Sequence, residues 1–222
     1  NKWVYCTIEA RMPLEDRFPD GDIPPDAKDY ANDFVELNKY CDRVEIMAYD
    51  QGIIDERLNR MRASPYAPVS DSAWVEKLIT LAAQTIARNK LVLGVPTYGY
   101  EYEVIPKPDG TYSYTRLWPF NPQYALEIAE KLSITPTRNS ANEMGFVYNP
   151  KILDIITATQ NGTLAQNAYA QVNTNVSFNF LSWSDAEAIV EKVALARKLG
   201  LRGVAVFKFD GGADPGMWEV LK

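Results

Sequence analysis

The sequence predicts an α/β fold built of parallel βαβ units, half of a (β/α)8 TIM barrel, with an inserted α+β subdomain. Three observations predict it. Candidate strands start near residues 3, 43, 90 and 203, and the first three starts are separated by 40 and 47 residues. Helical apolar periodicity fills the gaps, and strand–helix alternation at that spacing means a parallel sheet. Residues 101–180 break the alternation, and setting those 80 aside leaves 142 of the 222 residues, about 35 for each of four units. A complete barrel typically needs about 250 residues, so four units make half of one.

The elements follow in order. Residues 3–10, WVYCTIEA, are β-rich. A Pro/Asp/Gly loop leads to Pro24-Pro25-Asp26, which opens a predicted helix with Ala27, Tyr30, Ala31, Phe34, Leu37 and Cys41 on one stripe. Residues 43–49, RVEIMAY, read as the next strand, and 50–70 as a loop. A helix is predicted from Ser72 to Arg88 on Trp74, Val75, Leu78, Ile79, Ala82 and Ile86. Residues 90–97, KLVLGVPT, form a nearly continuous apolar run, typical of a strand buried on both faces.

Within 101–180, TYSYT and FNFLSW read as short antiparallel strands and PQYALEIAEKL as a helix. QNGT and NTN read as turns, and 154–176 is polar and carries little periodicity. Ser184-Asp-Ala-Glu187 reads as a capping box for a helix ending at Leu199, with Ile189, Val190, Val193, Ala194 and Leu199 inward and Gly200 at C′. GVAVFKF, residues 203–209, is a further buried strand, and MWEVLK starts a last helix. The division is therefore 1–100 for βα units, 101–180 for the insertion, and 181–222 for the last helix and closing strand.

Composition narrows the chemistry. Lys plus Arg is 23 against 29 Asp plus Glu, a net charge of −6, so no phosphate-backbone binding and no nucleic-acid partner are expected. Histidine is absent, which removes His-based triads, His-ligated zinc and the usual general base. No metal or cofactor is expected, and no run is long enough to span a membrane. Cys6 and Cys41 are expected as buried free thiols, because a chain this large needs no staple. The first residue is Asn rather than Met and no signal peptide follows, so the chain is expected to begin after processing or within a gene.

In parallel α/β folds the working residues sit at the carboxyl ends of strands. Here those ends carry Glu9 and Arg11; Met47, Tyr49, Asp50 and Gln51; Tyr98, Tyr100 and Glu101; and Phe207, Lys208 and Asp210. Tyrosines with a carboxylate and an amide suit a neutral polyhydroxylated ligand. Glu9 and Arg11 are expected to form an ion pair. Asp50 follows an apolar strand, where a carboxylate is costly unless hydrogen-bonded or used.

Val44-Glu-Ile-Met-Ala-Tyr49-Asp50 resembles the M-x-Y-D strand of glycoside hydrolase family 18. Leu93-Gly-Val-Pro96-Thr-Tyr98-Gly99 resembles that family's G-x-P-x-Y-G strand, and Leu181 to Asp210 its closing helix and strand. The resemblance covers nearly the whole chain and implies strands five to eight of the barrel, with the insertion between the seventh and eighth. It also implies N-acetylglucosamine-containing glycans, chitin or peptidoglycan, as substrate, and a secreted or cell-surface location. The wording of APVSDSAWVEK and YGYEYEV is nearer the bacterial cell-wall branch.

The implied chemistry is substrate-assisted retaining hydrolysis, in which the substrate's own 2-acetamido oxygen attacks C1. Tyr49 would orient that acetamido group, Asp50 would act beside it, and Met47, Gln51, Tyr98, Tyr100, Phe207 and Asp210 would line the subsite. Two departures stand out. The family's D-x-x-D-x-D-x-E motif, whose Glu is the acid, occurs nowhere in the 222 residues. Phe207 stands where many chitinases have Trp. A non-cleaving glycan-binding protein of the same family and an unrelated α/β protein remain alternatives. A half barrel also leaves two strand edges open, so pairing with a missing half-barrel or with a second copy is expected.

Overall fold

The computed structural model describes residues 2–55, 64–151, 177–208 and 214–221. Strand β1 (Tyr5–Glu9) is followed by a one-turn helix α1 (Leu14–Arg17), α2 (Phe34–Tyr40) and β2 (Arg43–Met47). Then come α3 (Gln51–Ile54), α4 (Ser72–Ala82) and β3 (Leu91–Pro96). The second half runs β4 (Gly99–Pro106), β5 (Tyr112–Phe120), α5 (Pro122–Leu132), β6 (Thr137–Arg138), β7 (Met144–Tyr148) and β8 (Phe178–Trp183). It closes with α6 (Ala186–Lys198), β9 (Gly203–Phe207) and α7 (Met217–Val220).

The strands form two sheets. One is parallel, in the order β1-β2-β3-β9. The other is antiparallel, in the order β5-β4-β8-β7-β6, and reaches from Gly99 to Trp183. It is a single insertion between β3 and β9. Gly99 is required where β4 leaves the parallel sheet. A Cβ there would lie 2.4 Å from the Ser182 carbonyl and 2.5 Å from the Trp183 Cβ.

Alternation along the parallel strands separates two faces. Ile8, Val44, Ile46, Ala48, Leu91, Leu93 and Val95 pack against Phe34 of α2, Trp74, Val75, Leu78 and Ile79 of α4, and Leu195 of α6. The other face carries Tyr5, Thr7, Glu9, Arg43, Glu45 and Met47, and no helix covers it among the described residues. Glu45 is its hub, accepting from the Tyr5 hydroxyl at 3.0 Å and the Thr7 hydroxyl at 3.4 Å. Parallel sheets are ordinarily covered on both faces.

Several sequence expectations are corrected. The helix expected from Pro24 starts only at Phe34, where Asp33 caps it by accepting from the Val35 and Glu36 amides. Residues 30–32 are instead a non-helical strap around Arg11. The Arg11 guanidinium lies 3.7 Å from the Tyr30 ring centre and 3.8 Å from that of Phe34, and it donates to the Asn32 carbonyl. Arg11 thus stacks rather than pairing with Glu9. Helix α4 ends at Ala82, not Arg88; Ile86 still reaches the core, and the Asn38 side chain accepts from the Ala87 amide at 3.1 Å.

Helix α6 is capped by Asp185, which accepts from the Ala188 amide, rather than by Ser184. Glu187 pairs outward with Arg138. Its phase also differs: Val190 is exposed and Lys192 is buried, because the helix packs through Ala188, Ile189, Lys192, Leu195 and Ala196. Gly200 sits at C′ with φ +67, and the Leu201 amide returns to the Ala196 carbonyl. Strand β9 is half-buried, because it is an edge of the sheet.

The two cysteines are not free: Cys6 and Cys41 form a disulfide with Cα atoms 6.1 Å apart. Cys6 lies beside Val44 in the β1–β2 register, and Cys41 ends the helix just before β2. The parallel pairing itself brings them together. The turns expected at QNGT and NTN, and the polar stretch 154–176, lie outside the described residues.

Candidate functional site

The site forms where β2 and β3 end and the insertion begins. After Met47 the chain passes Ala48 and Tyr49 and turns sharply at Asp50, which adopts the left-handed conformation at φ 65, ψ 24. Asp can occupy that region, although it is a sparse one. The turn is held from behind: the Gln51 and Gly52 amides donate to the Val69 and Pro68 carbonyls at 3.0 and 2.8 Å. Asp50 opens α3 but does not cap it, so its carboxylate is left for other partners.

Those partners are two phenols. The Tyr98 and Tyr100 hydroxyls both donate to Asp50 Oδ1, the latter at 2.8 Å. Both tyrosines point to the same side because β4 alternates, and Tyr98 immediately precedes it. Rings complete the arrangement. Tyr49 stacks on Phe207 at 5.5 Å and 16°. Tyr98 meets both edge-on, at 6.2 Å and 5.9 Å, and Tyr100 stands edge-on to Tyr98 at 5.6 Å. Gly94 makes room for this packing, since a Cβ there would lie 3.0 Å from the Tyr49 ring and 2.8 Å from the Ile46 carbonyl.

Burial raises the Tyr49 hydroxyl to about 12, with the Glu45 and Asp50 charges adding to the effect. Burial, then the hydrogen bond to Asp50, pushes Tyr98 and Tyr100 upward as well. All three therefore stay protonated, and Tyr98 and Tyr100 donate to Asp50. Among the described residues the Tyr49 hydroxyl has no hydrogen-bond partner, and it sits beside the Asp50 carboxylate. Such a pair can orient an amide carbonyl and stabilise positive charge developing next to it.

The structure brings Tyr49, Asp50, Tyr98, Tyr100 and Phe207 together, with Met47 packed against their cluster. It does not bring Gln51. That side chain is 0% exposed, and its Oε1 accepts from the Asp71 amide at 2.8 Å, so it supports the turn and offers no surface to a ligand. Asp210 lies outside the described residues. No cluster of three metal-ligating side chains occurs among the described residues.

Sequence reasoning missed Glu143. It lies between β6 and β7, 0% exposed, and its carboxylate accepts from the Val69 amide at 2.8 Å, the Ser70 amide at 2.7 Å and the Ser182 hydroxyl at 3.1 Å. Ser70 in turn donates to the Ala48 carbonyl at 2.7 Å, one residue before Tyr49. The insertion thus braces the Tyr49–Asp50 turn. The only local hint was a lone acidic residue in a polar Asn/Ser-rich stretch, which carries no periodicity.

Comparison with known proteins agrees with this geometry. The chain is 31% identical over 193 residues to "Uncharacterized glycosylase YvbX" of Bacillus subtilis (strain 168), covering 86% of this chain and 44% of that protein. It is 26% identical over 211 residues to "Probable di-N-acetylchitobiase 1" of Dictyostelium discoideum, covering 85% and 51%. The chain therefore spans about half the length of the curated relatives it matches. The crystal structure of the Bacillus megaterium QM B1551 spore cortex-lytic enzyme SleL superposes with a TM-score of 0.62 at 20% identity, over 99% of this chain and 40% of that one. That likeness indicates a TIM-barrel-type α/β fold. The profile of glycosyl hydrolases family 18 matches residues 22–212, from before α2 to beyond β9 and across the whole tyrosine–aspartate site, and the chain belongs to that family.

Proposed function

We propose that this chain is the C-terminal part, strands five to eight, of a barrel glycosidase acting on N-acetylglucosamine-containing glycans of peptidoglycan or chitin. The observation that carries the reading is the Asp50 carboxylate held by Tyr98 and Tyr100 beside the unengaged Tyr49 hydroxyl. Hydrolysis is substrate-assisted and retaining. The acid protonates the glycosidic oxygen, the bond from that oxygen to C1 breaks as the 2-acetamido oxygen bonds to C1 in place of an enzyme nucleophile, and water then opens the ring formed at C1 with retention. Tyr49 donates to the acetamido group and orients it. Asp50 stabilises the positive charge that develops on the ring formed, and Tyr98 and Tyr100 hold that carboxylate in place. Phe207 stacks behind Tyr49 and closes the subsite.

The acid is supplied from outside these 222 residues, since the D-x-x-D-x-D-x-E motif is not among them. The polar sheet face and the two edges, β1 and β9, are where the other half of the barrel closes. The Cys6–Cys41 bridge fits an oxidising, extracytoplasmic location.

The test is the reading frame upstream of the codon for Asn1, joined to a binding measurement. The motif is expected within about 40 residues, one βα unit, as the repeat length of the barrel requires. A frame that starts at Asn1, or carries the motif without its Glu, reassigns the chain to glycan binding without cleavage. Tyr49→Phe is expected to weaken binding of a soluble N-acetylglucosamine oligomer by about tenfold, one hydrogen bond's worth. Unchanged affinity removes Tyr49 from the site. The isolated chain is expected to leave the glycan intact, and turnover abolished by Glu9→Gln overturns the assignment of the acid.

A further inference from the structure

We propose that Trp118 forms the floor of a second saccharide site, on the face of the inserted sheet opposite the Tyr49–Asp50 site. The placement follows from register. Tyr98, Tyr100 and Tyr102 share one face with Tyr49, whereas Glu101 alternates to the other, and Trp118 lies opposite Glu101 across the β4–β5 pair. That second face is otherwise covered by α5. Trp118 lies just beyond the helix start and is 46% exposed.

The indole is fixed, not loose. It stands edge-on to Tyr124 at 6.5 Å and 78°. Tyr124 is tied down in turn, its hydroxyl donating at 2.8 Å to the fully buried Glu101. Glu101 also accepts from the Tyr148 hydroxyl at 2.5 Å and the Asn179 amide at 2.6 Å. A buried carboxylate with three donors is a rigid anchor, so the aromatic surface is ordered before any ligand arrives.

Around Trp118 is a shallow depression of about 440 Å³. Asn121, Gln123 and Glu127 edge it, and the Gln123 amide donates to Glu127 at 3.2 Å. Asn121 precedes α5 without capping it, which leaves its amide available at the rim. A half-exposed indole beside two amides and one carboxylate matches a pyranose ring, which has apolar faces and hydroxyl or acetamido groups at its edge. No Lys or Arg lines the depression among the described residues, so the ligand is neutral rather than phosphate or carboxylate. The exposed Trp3 differs, since it carries the Arg43 guanidinium at 4.8 Å over its ring.

The ligand class rests on the reading under Proposed function: neutral N-acetylglucosamine units of the same polymer. The two sites face opposite sides of one sheet, so the Trp118 site holds a neighbouring strand of an insoluble wall or fibre. One ring on one platform binds weakly, and the gain comes from many contacts along the polymer.

The experiment compares the parent protein with Trp118→Ala, Trp118→Phe and Tyr49→Phe. Two readouts are retention on insoluble peptidoglycan and chitin, and the Trp118 indole N–H resonance during titration with a soluble N-acetylglucosamine tetramer. Trp118→Ala is expected to lower retention about tenfold, typical of truncating an aromatic anchor, and Trp118→Phe to restore part of it. The indole resonance is expected to move in the parent and also in Tyr49→Phe. Unchanged retention in Trp118→Ala, or an indole resonance that stays still at saturating tetramer, overturns the second site and leaves the first intact. A parent that binds neither polymer nor tetramer overturns both readings. A change of solution mass in Trp118→Ala overturns the proposal by assigning this surface to a protein contact.

Discussion

Removing the Glu143 brace tests how the insertion and the parallel sheet are joined. Glu143→Ala leaves the Val69 and Ser70 amides and the Ser182 hydroxyl without their acceptor in a fully buried place. Each orphaned group costs about 1–3 kcal/mol, and local relaxation recovers part, so a loss of about 3–5 kcal/mol is expected. Lys192 adds to it. Its ammonium is buried without a hydrogen-bond partner, and Glu143 is the largest opposite charge acting on it. Burial lowers Lys192 and raises Glu143, and each charge opposes the other's shift. Adding Lys192→Met to Glu143→Ala is therefore expected to recover part of the loss, because a buried charge without its partner is worse than neither. Glu143→Gln keeps one acceptor but turns an NH2 group toward a backbone N–H, and about 2 kcal/mol is expected. Denaturant unfolding at neutral pH followed by circular dichroism measures all three. Glu143→Ala within about 1 kcal/mol of the parent, or a double variant no better than the single one, refutes the reasoning.

Two further outcomes follow from the same geometry. The Cys6–Cys41 bridge spans 35 residues of sequence, for which loop-closure entropy gives about 4 kcal/mol. Reduction and alkylation should lower the melting temperature by about 8–15 °C, and an unchanged melt would mean the bridge constrains nothing. Alkaline pH should also destabilise the fold. Tyr49, Tyr114 and Tyr124 are each raised to about 12 by burial from an ordinary value near 10. The folded state thus holds protons the unfolded state has released, so this stability is complete below pH 10 and is lost as pH rises through about 12. The absorbance of these three tyrosines, taken as the difference from their Phe variants, is expected to rise only together with unfolding, and their titration near pH 10 with the fold intact would refute it.

Period and punctuation were enough for some local elements. The apolar stripe of PQYALEIAEKL marks α5 to the residue, and Gly200 marks the end of α6. The spacing of the βαβ units placed Tyr49, Asp50 and Tyr98 at strand ends, because a strand's carboxyl end is a property of the chain alone. The start of α2 was not legible, because Pro24-Pro25 and Asp33 offer competing starts and Tyr30 packs on Arg11, 19 residues away in sequence. The phase of α6 was misjudged for a similar reason: Lys192 turns inward, where the charge of Glu143 from the insertion acts on it.

The sequence by itself determined the four parallel strands, the helices α4, α5 and α6 and the strands β5 and β8, though not α1, α3, β4, β6 or β7, and it placed a tyrosine–aspartate pair just after the second strand. Only the tertiary structure decided that both Tyr98 and Tyr100 donate to Asp50, that Gln51 turns inward, that Cys6 meets Cys41, and that Glu143 braces the turn. The physical reason is range. Side-chain periodicity is written in neighbours three or four residues apart, whereas hydrogen bonds between Asp50 and Tyr100, or Glu143 and Val69, join groups 50 and 74 residues apart that meet only once the sheets are paired.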